Sequence, residues 1–167
     1  MSKVDAAQIR LDLKNEMGLK ASQVSVRTCR STGSLDLRVK DPTADYAAIE
    51  AIALRQERIH RDGFGDILSG GNTFVSVSWS KEARAIRGGA HLAAVQAAIA
   101  ELEAADSDSV LIPVEGAPGT LIGWAEQRRG MGFRLWHAGT AGMWVNTPEC
   151  AAAMVADYQS GAVRLGR

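Results

Sequence analysis

Between Gln23 and Lys40, apolar side chains recur at every second position on either side of a run of turn formers, Arg30-Ser31-Thr32-Gly33-Ser34. A period of two belongs to a strand, so the segment predicts a β-hairpin with Val24, Val26, Leu35, Leu37 and Val39 on one face. The other face collects Ser25, Arg27 and Cys29 opposite Asp36, Arg38 and Lys40, a polar and mostly basic surface. Slipping the pairing by one residue would bury three charges, so the alternation also predicts that Arg27, Arg38 and Lys40 face solvent.

Helical spacing governs the flanks. Ala6, Ile9, Leu13 and Met17 predict a first helix over 4–17, stopped by Gly18. After the hairpin, Asp41-Pro42 ends the strand and Thr43 is the expected cap of a second helix. Its inward positions are Tyr46, Ile49, Ile52 and Ala53, and its end is expected near Arg61. Turns at 61–66 and 69–72 bracket a short extended Ile67-Leu68, and Val75, Val77 and Trp79 alternate along a strand over 73–80. The polar stretch Lys81–Gly89 closes on a glycine pair and is the expected boundary between halves.

Beyond it, Leu92, Val95, Ile99 and Leu102 predict an alanine-rich helix over 91–105. Pro113 cannot donate to a ladder, so 110–114 is expected at a sheet edge. A further strand is expected over 120–124, its continuation to 129 being open between strand and helix. Phe133–His137 and 143–145 form an expected hairpin across 138–142. A last helix starts at Thr147-Pro148 with Ala151, Val155 and Tyr158 inward. The sum is an α+β chain of two small subdomains, 1–84 and 85–167, each an antiparallel sheet with helices packed on one face.

Composition narrows the function. The 167 residues are 46% hydrophobic and 23% charged, the usage of an ordinary globular protein. Nineteen basic residues balance 19 acidic ones, which disfavours nucleic-acid binding driven by bulk charge. There is neither a basic segment followed by an apolar run nor a membrane-length apolar stretch, so a cytoplasmic location without membrane contact is expected.

Candidate chemistry is sparse. His60, His91 and His137 lie far apart and outside metal-ligand spacings, so no metal and no cofactor is expected. Cys29 has arginine neighbours that would favour a thiolate, but no base is identifiable beside it; Cys150 reads as a packed residue of the last helix. The glycines of Ser69-Gly70-Gly71-Asn72 lead into a strand and lack the lysine of a phosphate loop. With no catalytic constellation the chain reads as a non-enzyme. Binding candidates remain: Arg27, Arg38 and Lys40 on the hairpin, and Arg55, Arg58 and Arg61 near the end of the second helix, where they also suit its dipole. Trp136 and Trp144 join them, since tryptophan is enriched both in cores and at binding hot spots.

The first half carries a set of local runs: Ile9-Arg10 to Leu13-Lys14, Val24-Ser25-Val26-Arg27, Leu37-Arg38-Val39 followed by Asp41-Pro42-Thr43, and residues 67–75, Ile-Leu-Ser-Gly-Gly-Asn-Thr-Phe-Val. In these it resembles the large polyvalent protein-associated domains of type 29, α+β modules of phage and plasmid proteins, over roughly residues 5–80. The resemblance implies a mobile-element origin and a role in the contest between element and host; it assigns no catalytic residue. The expected function is therefore that of a non-enzymatic protein that binds and inhibits a host defence complex, a protein or ribonucleoprotein of CRISPR or restriction type. The alternative is a nucleic-acid-binding accessory protein that uses the basic sheet face.

Overall fold

The computed structural model describes residues 2–29, 32–105, 107, 110–124 and 132–162. The chain divides after Ala83 into two compact units.

The first unit holds α1 (Ser2–Met17), β1 (Val24–Thr28), β2 (Leu35–Val39), α2 (Tyr46–Leu54) and β3 (Val75–Trp79). Gly18, at φ 66°, ends α1 by donating its N–H to the Lys14 carbonyl at 3.0 Å. The hairpin pairs Val24 with Val39, Val26 with Leu37 and Thr28 with Leu35. The five inward residues are all buried, as are Ala6, Ile9 and Leu13 of α1 and Tyr46, Ile49, Ile52 and Ala53 of α2. Fully burying a side chain such as Leu37 or Ile49 contributes about 2 kcal/mol, which is why alternation on the strands and helical spacing on the helices converge on one core.

An antiparallel sheet was the expectation for this half, but the sheet is mixed: β3 lies parallel to β2, with Leu35 beside Val75, Leu37 beside Val77 and Val39 beside Trp79. The connection between them contains α2, and a helical crossover returns the chain to the same end of the sheet. The Tyr46 hydroxyl donates to the Val77 carbonyl at 2.6 Å, and the Tyr46 and Trp79 rings lie 5.3 Å apart.

Two local features depart from expectation. Asp45, not Thr43, caps α2, its carboxylate accepting from the Ala48 N–H at 3.0 Å. Thr43 instead donates its hydroxyl and its N–H to Asp41; those bonds and one from Gln23 hold the Asp41 carboxyl below its ordinary range. The helix also stops at Leu54, well short of Arg61. Continuing it would place Gln56 and His60 on the inward stripe, which leaves nothing apolar to bury. The chain turns back as a narrow arm, bridged at Arg58 with Thr73 and at Arg61 with Ile67.

The second unit carries a four-stranded antiparallel sheet in the order β4 (Leu111–Pro113), β5 (Thr120–Gly123), β6 (Phe133–His137), β7 (Thr140–Val145). Pro113 sits on an edge strand, as its missing N–H requires. α4 (Leu92–Ala104) and α5 (Pro148–Gln159) supply Val95, Ile99 and Val155 to a core shared with Ile122, Leu135 and Val145. Thr147 caps α5, accepting from the Cys150 N–H at 3.2 Å. The β6–β7 turn is only Ala138-Gly139, at φ 49° and 79°, so Gly142 belongs to β7 and not to the turn expected over 138–142. A two-residue turn with both φ positive matches the twist of the flanking strands. The undecided continuation over 125–129 lies outside the described residues.

The stretch expected as a linker is helix α3 (Lys81–Gly89), and the division of the chain falls inside it. Arg84 donates to the Asp157 carboxylate of α5 at 2.7 Å and Arg87 to the Ala156 carbonyl at 3.3 Å. A Cβ on Gly88 would lie 2.9 Å from the Ala153 backbone. Small size and charge pairing, not an apolar stripe, hold α3 to α5, which is why the stretch reads as polar and breakable.

Candidate functional site

The outward face of the three-stranded sheet carries Ser25, Arg27, Asp36, Arg38, Ser76 and Ser78, with Lys40 just beyond β2. Arg27, Arg38 and Lys40 are all exposed, where the alternation puts them. Asp36 faces Arg27 in register and pairs with Arg38 at 3.2 Å, so the face holds three cations and one carboxylate. An exposed pair of this kind contributes no more than about 1 kcal/mol, leaving the cations open to a partner.

The second basic group is exposed, and each of its members has a partner within the first unit. Arg55 makes a two-pronged pair with Glu16 of α1, the longer bond being 3.0 Å; that hydrogen bond holds the Glu16 carboxyl below its usual value and raises the Arg55 guanidinium. Arg58 reaches the buried Asp5 of α1 at 3.3 Å. Arg61 donates to the Gly65 carbonyl at 2.7 Å within the arm. The three expected phosphate contacts thus sit on three different structural tasks. Their clustering in sequence was a helical expectation, and the helix ends before all three of them.

The tryptophans divide by depth. Trp79 and Trp124 are buried, Trp124 stacked on Phe133 at 5.3 Å. Trp136 and Trp144 lie on the outward face of the four-stranded sheet, where one row across the strands reads Leu111, Gly123, Arg134, Trp144. Trp144 is 40% and Leu111 48% exposed. The Arg134 guanidinium stands 5.8 Å from the centre of the Trp136 ring and donates to the Gly142 carbonyl at 3.2 Å. Gly123 leaves room for this arrangement: a Cβ there would meet the Trp136 ring edge at 3.3 Å. The result is an aromatic and aliphatic patch around one oriented cation.

Other candidates fall to geometry. The Thr120 hydroxyl and His137 Nδ1 lie 2.8 Å apart, a spacing that suits a nucleophile and its base, but Thr120 is 1% exposed and no substrate atom can approach it. His137 stacks on Tyr158 at 5.1 Å, so the trio braces α5 against the sheet. Cys29 is exposed at the hairpin's end, and Cys150, expected to pack, is exposed in the first turn of α5. Among the described residues no group of three or more His, Cys, Asp or Glu is placed to hold a metal, and no helix is long and apolar enough to cross a membrane.

Two surfaces had no sequence reading. One is the arm, whose residues 61–70 are all exposed, Phe64 at 96%. The other is a groove of about 500 Å³ between α1 and β1, floored by Leu13, Val24 and Val26 and rimmed by Arg10, Lys14 and Lys20. Compared with protein-family models, with curated proteins and with solved structures, the chain matches none.

Proposed function

We propose that this chain is a non-enzymatic binding protein of a phage or plasmid that masks a component of a host defence complex of CRISPR or restriction type. The observation that carries the binding reading is the outward face of the four-stranded sheet, where exposed Trp144 and Leu111 surround Arg134 and Trp136. Tryptophan and arginine are the residues most enriched where binding energy concentrates, and a guanidinium already fixed over a ring loses little freedom on association. The resemblance of residues 5–80 to mobile-element domains supports the choice of partner class.

The experiment is interference itself. In a host carrying an active CRISPR or restriction system, expression of the chain should restore plasmid establishment, and Trp144→Ala with Arg134→Ala should abolish that protection while leaving the melting temperature within a few degrees. Unchanged interference across a panel of such systems would sink the defence reading.

The shared exposure of Arg27, Arg38 and Lys40 on one face favours a second reading, phosphate binding by the basic sheet. Its signature is salt: association with nucleic acid should weaken steeply as ionic strength rises, with a slope that falls in Arg27→Ala.

A further inference from the structure

The arm and the groove are both orphan surfaces of the first unit, and they are complementary. The arm's tip is held by its own hydrogen bonds. Asp62 accepts the N–H groups of Phe64 and Asp66 on one carboxylate oxygen, each at 2.9 Å, its own N–H donates to the Asp66 carbonyl at 2.9 Å, and Arg61 holds the Gly65 carbonyl. Five residues are thereby fixed around an aromatic side chain that is 96% exposed, with a carboxylate on either side of it at Asp62 and Asp66. Ordering this loop has already been accomplished by its own hydrogen bonds, so seating the ring elsewhere forfeits little entropy.

The groove is the inverse. Its accessible apolar lining is Leu19 and Ala21, above the nearly buried Leu13, Val24 and Val26; about 500 Å³ is ample for a phenyl ring, and three cations, Arg10, Lys14 and Lys20, stand at its rim. Arg10 also donates to the Val26 carbonyl, which blunts the open edge of β1 and fixes the guanidinium at the mouth. Phe64 does not enter the groove of its own chain, since it is almost wholly in solvent.

We propose that the Phe64 ring of one copy seats in the α1–β1 groove of a second copy, with Asp62 and Asp66 facing the Arg10, Lys14 and Lys20 rim. The contact uses neither the tryptophan face nor the basic sheet face, so it stands or falls independently of the binding reading above.

Sedimentation equilibrium tests it. The wild-type chain should self-associate over roughly 10–500 µM, the range of a single-anchor contact. Phe64→Ser should weaken association by about tenfold or more, as loss of a central aromatic anchor does. Lys14→Glu with Lys20→Glu, two exposed changes, should do the same, and low salt should strengthen the wild-type contact. Mixing is the decisive arm: the Phe64→Ser copy keeps its groove and the doubly reversed copy keeps its arm, so the two, each monomeric alone, should form a 1:1 complex. A wild-type chain that stays monomeric, a Phe64→Ser chain that associates as the wild type does, or a mixture that remains monomeric would each overturn the proposal. Circular dichroism of both variants should match the wild type, because none of the substituted side chains is buried.

Discussion

Ala138 occupies the left-handed region at φ 49°, where a non-glycine residue other than Asn or Asp is strained by about 1–2 kcal/mol. Asn tolerates that conformation and precedes glycine in the favoured two-residue hairpin turn. Ala138→Asn should therefore raise the melting temperature by about 2–4 °C, the shift expected for roughly 1 kcal/mol in a chain of this length. A fall would mean that the turn is not the one described. Asp157 presents a second balance. Burial pushes its carboxyl above the ordinary range, against the opposing pull of Arg84 and Arg87. The folded form then binds the proton more tightly than the unfolded chain, so stability from this group is highest below the unfolded pKa and declines as pH rises through the folded one. Asp157→Asn lacks that decline, and its melting temperature relative to the wild type should rise as pH increases above the ordinary Asp range. The opposite trend in melts as pH increases would show that the ion pair with Arg84 outweighs the desolvation.

Contacts between elements turn on glycines as much as on apolar faces. Replacing Gly88 by Ala gains about 1 kcal/mol of helix propensity. The new methyl, 2.9 Å from the Ala153 backbone, costs more, since overpacking against an atom that cannot yield is worth about 1–3 kcal/mol. Gly88→Ala should lower stability in urea titrations despite the better helix former. Gly142 is tighter still: a Cβ there would overlap the Tyr158 hydroxyl and approach the Leu135 carbonyl at 2.8 Å. On the hairpin the expectation runs the other way. Arg27→Ala with Arg38→Ala touches only exposed positions and one exposed ion pair, so stability should change by less than about 0.5 kcal/mol. If this face meets an acidic partner, the loss should appear in the association rate, measured by stopped flow or biosensor, more than in dissociation.

For the whole chain, cleavage maps where backbone is available to a protease. The polar stretch Lys81–Gly89 is helical and anchored through Arg84, Arg87 and Gly88, whereas every residue over 61–70 is exposed on an arm held by two isolated bridges. Limited chymotrypsin digestion should cut first after Phe64, and trypsin after Arg61, before either enters α3. First cuts within 81–89 would restore a linker there.

The inward sets of the hairpin, α1, α2, α4 and α5 were legible from residue order alone, because a side chain's face in a strand or helix follows from the 2.0 or 3.6 period, which is local. So was the exposure of Arg27, Arg38 and Lys40, the necessary reverse of an apolar face. The direction of β3 was not: Val75, Val77 and Trp79 alternate identically in a parallel or an antiparallel partner, and the path of the intervening chain decides which. Nor was the fate of Arg55 and Arg58, whose partners Glu16 and Asp5 lie on α1 and become neighbours only when α1 and α2 pack. The separation of the four tryptophans into two buried and two outward, and the meeting of Gly88 with α5, likewise depend on which surfaces approach one another. Periodicity determines which side of an element is apolar; only tertiary packing determines what that side and its opposite come to face.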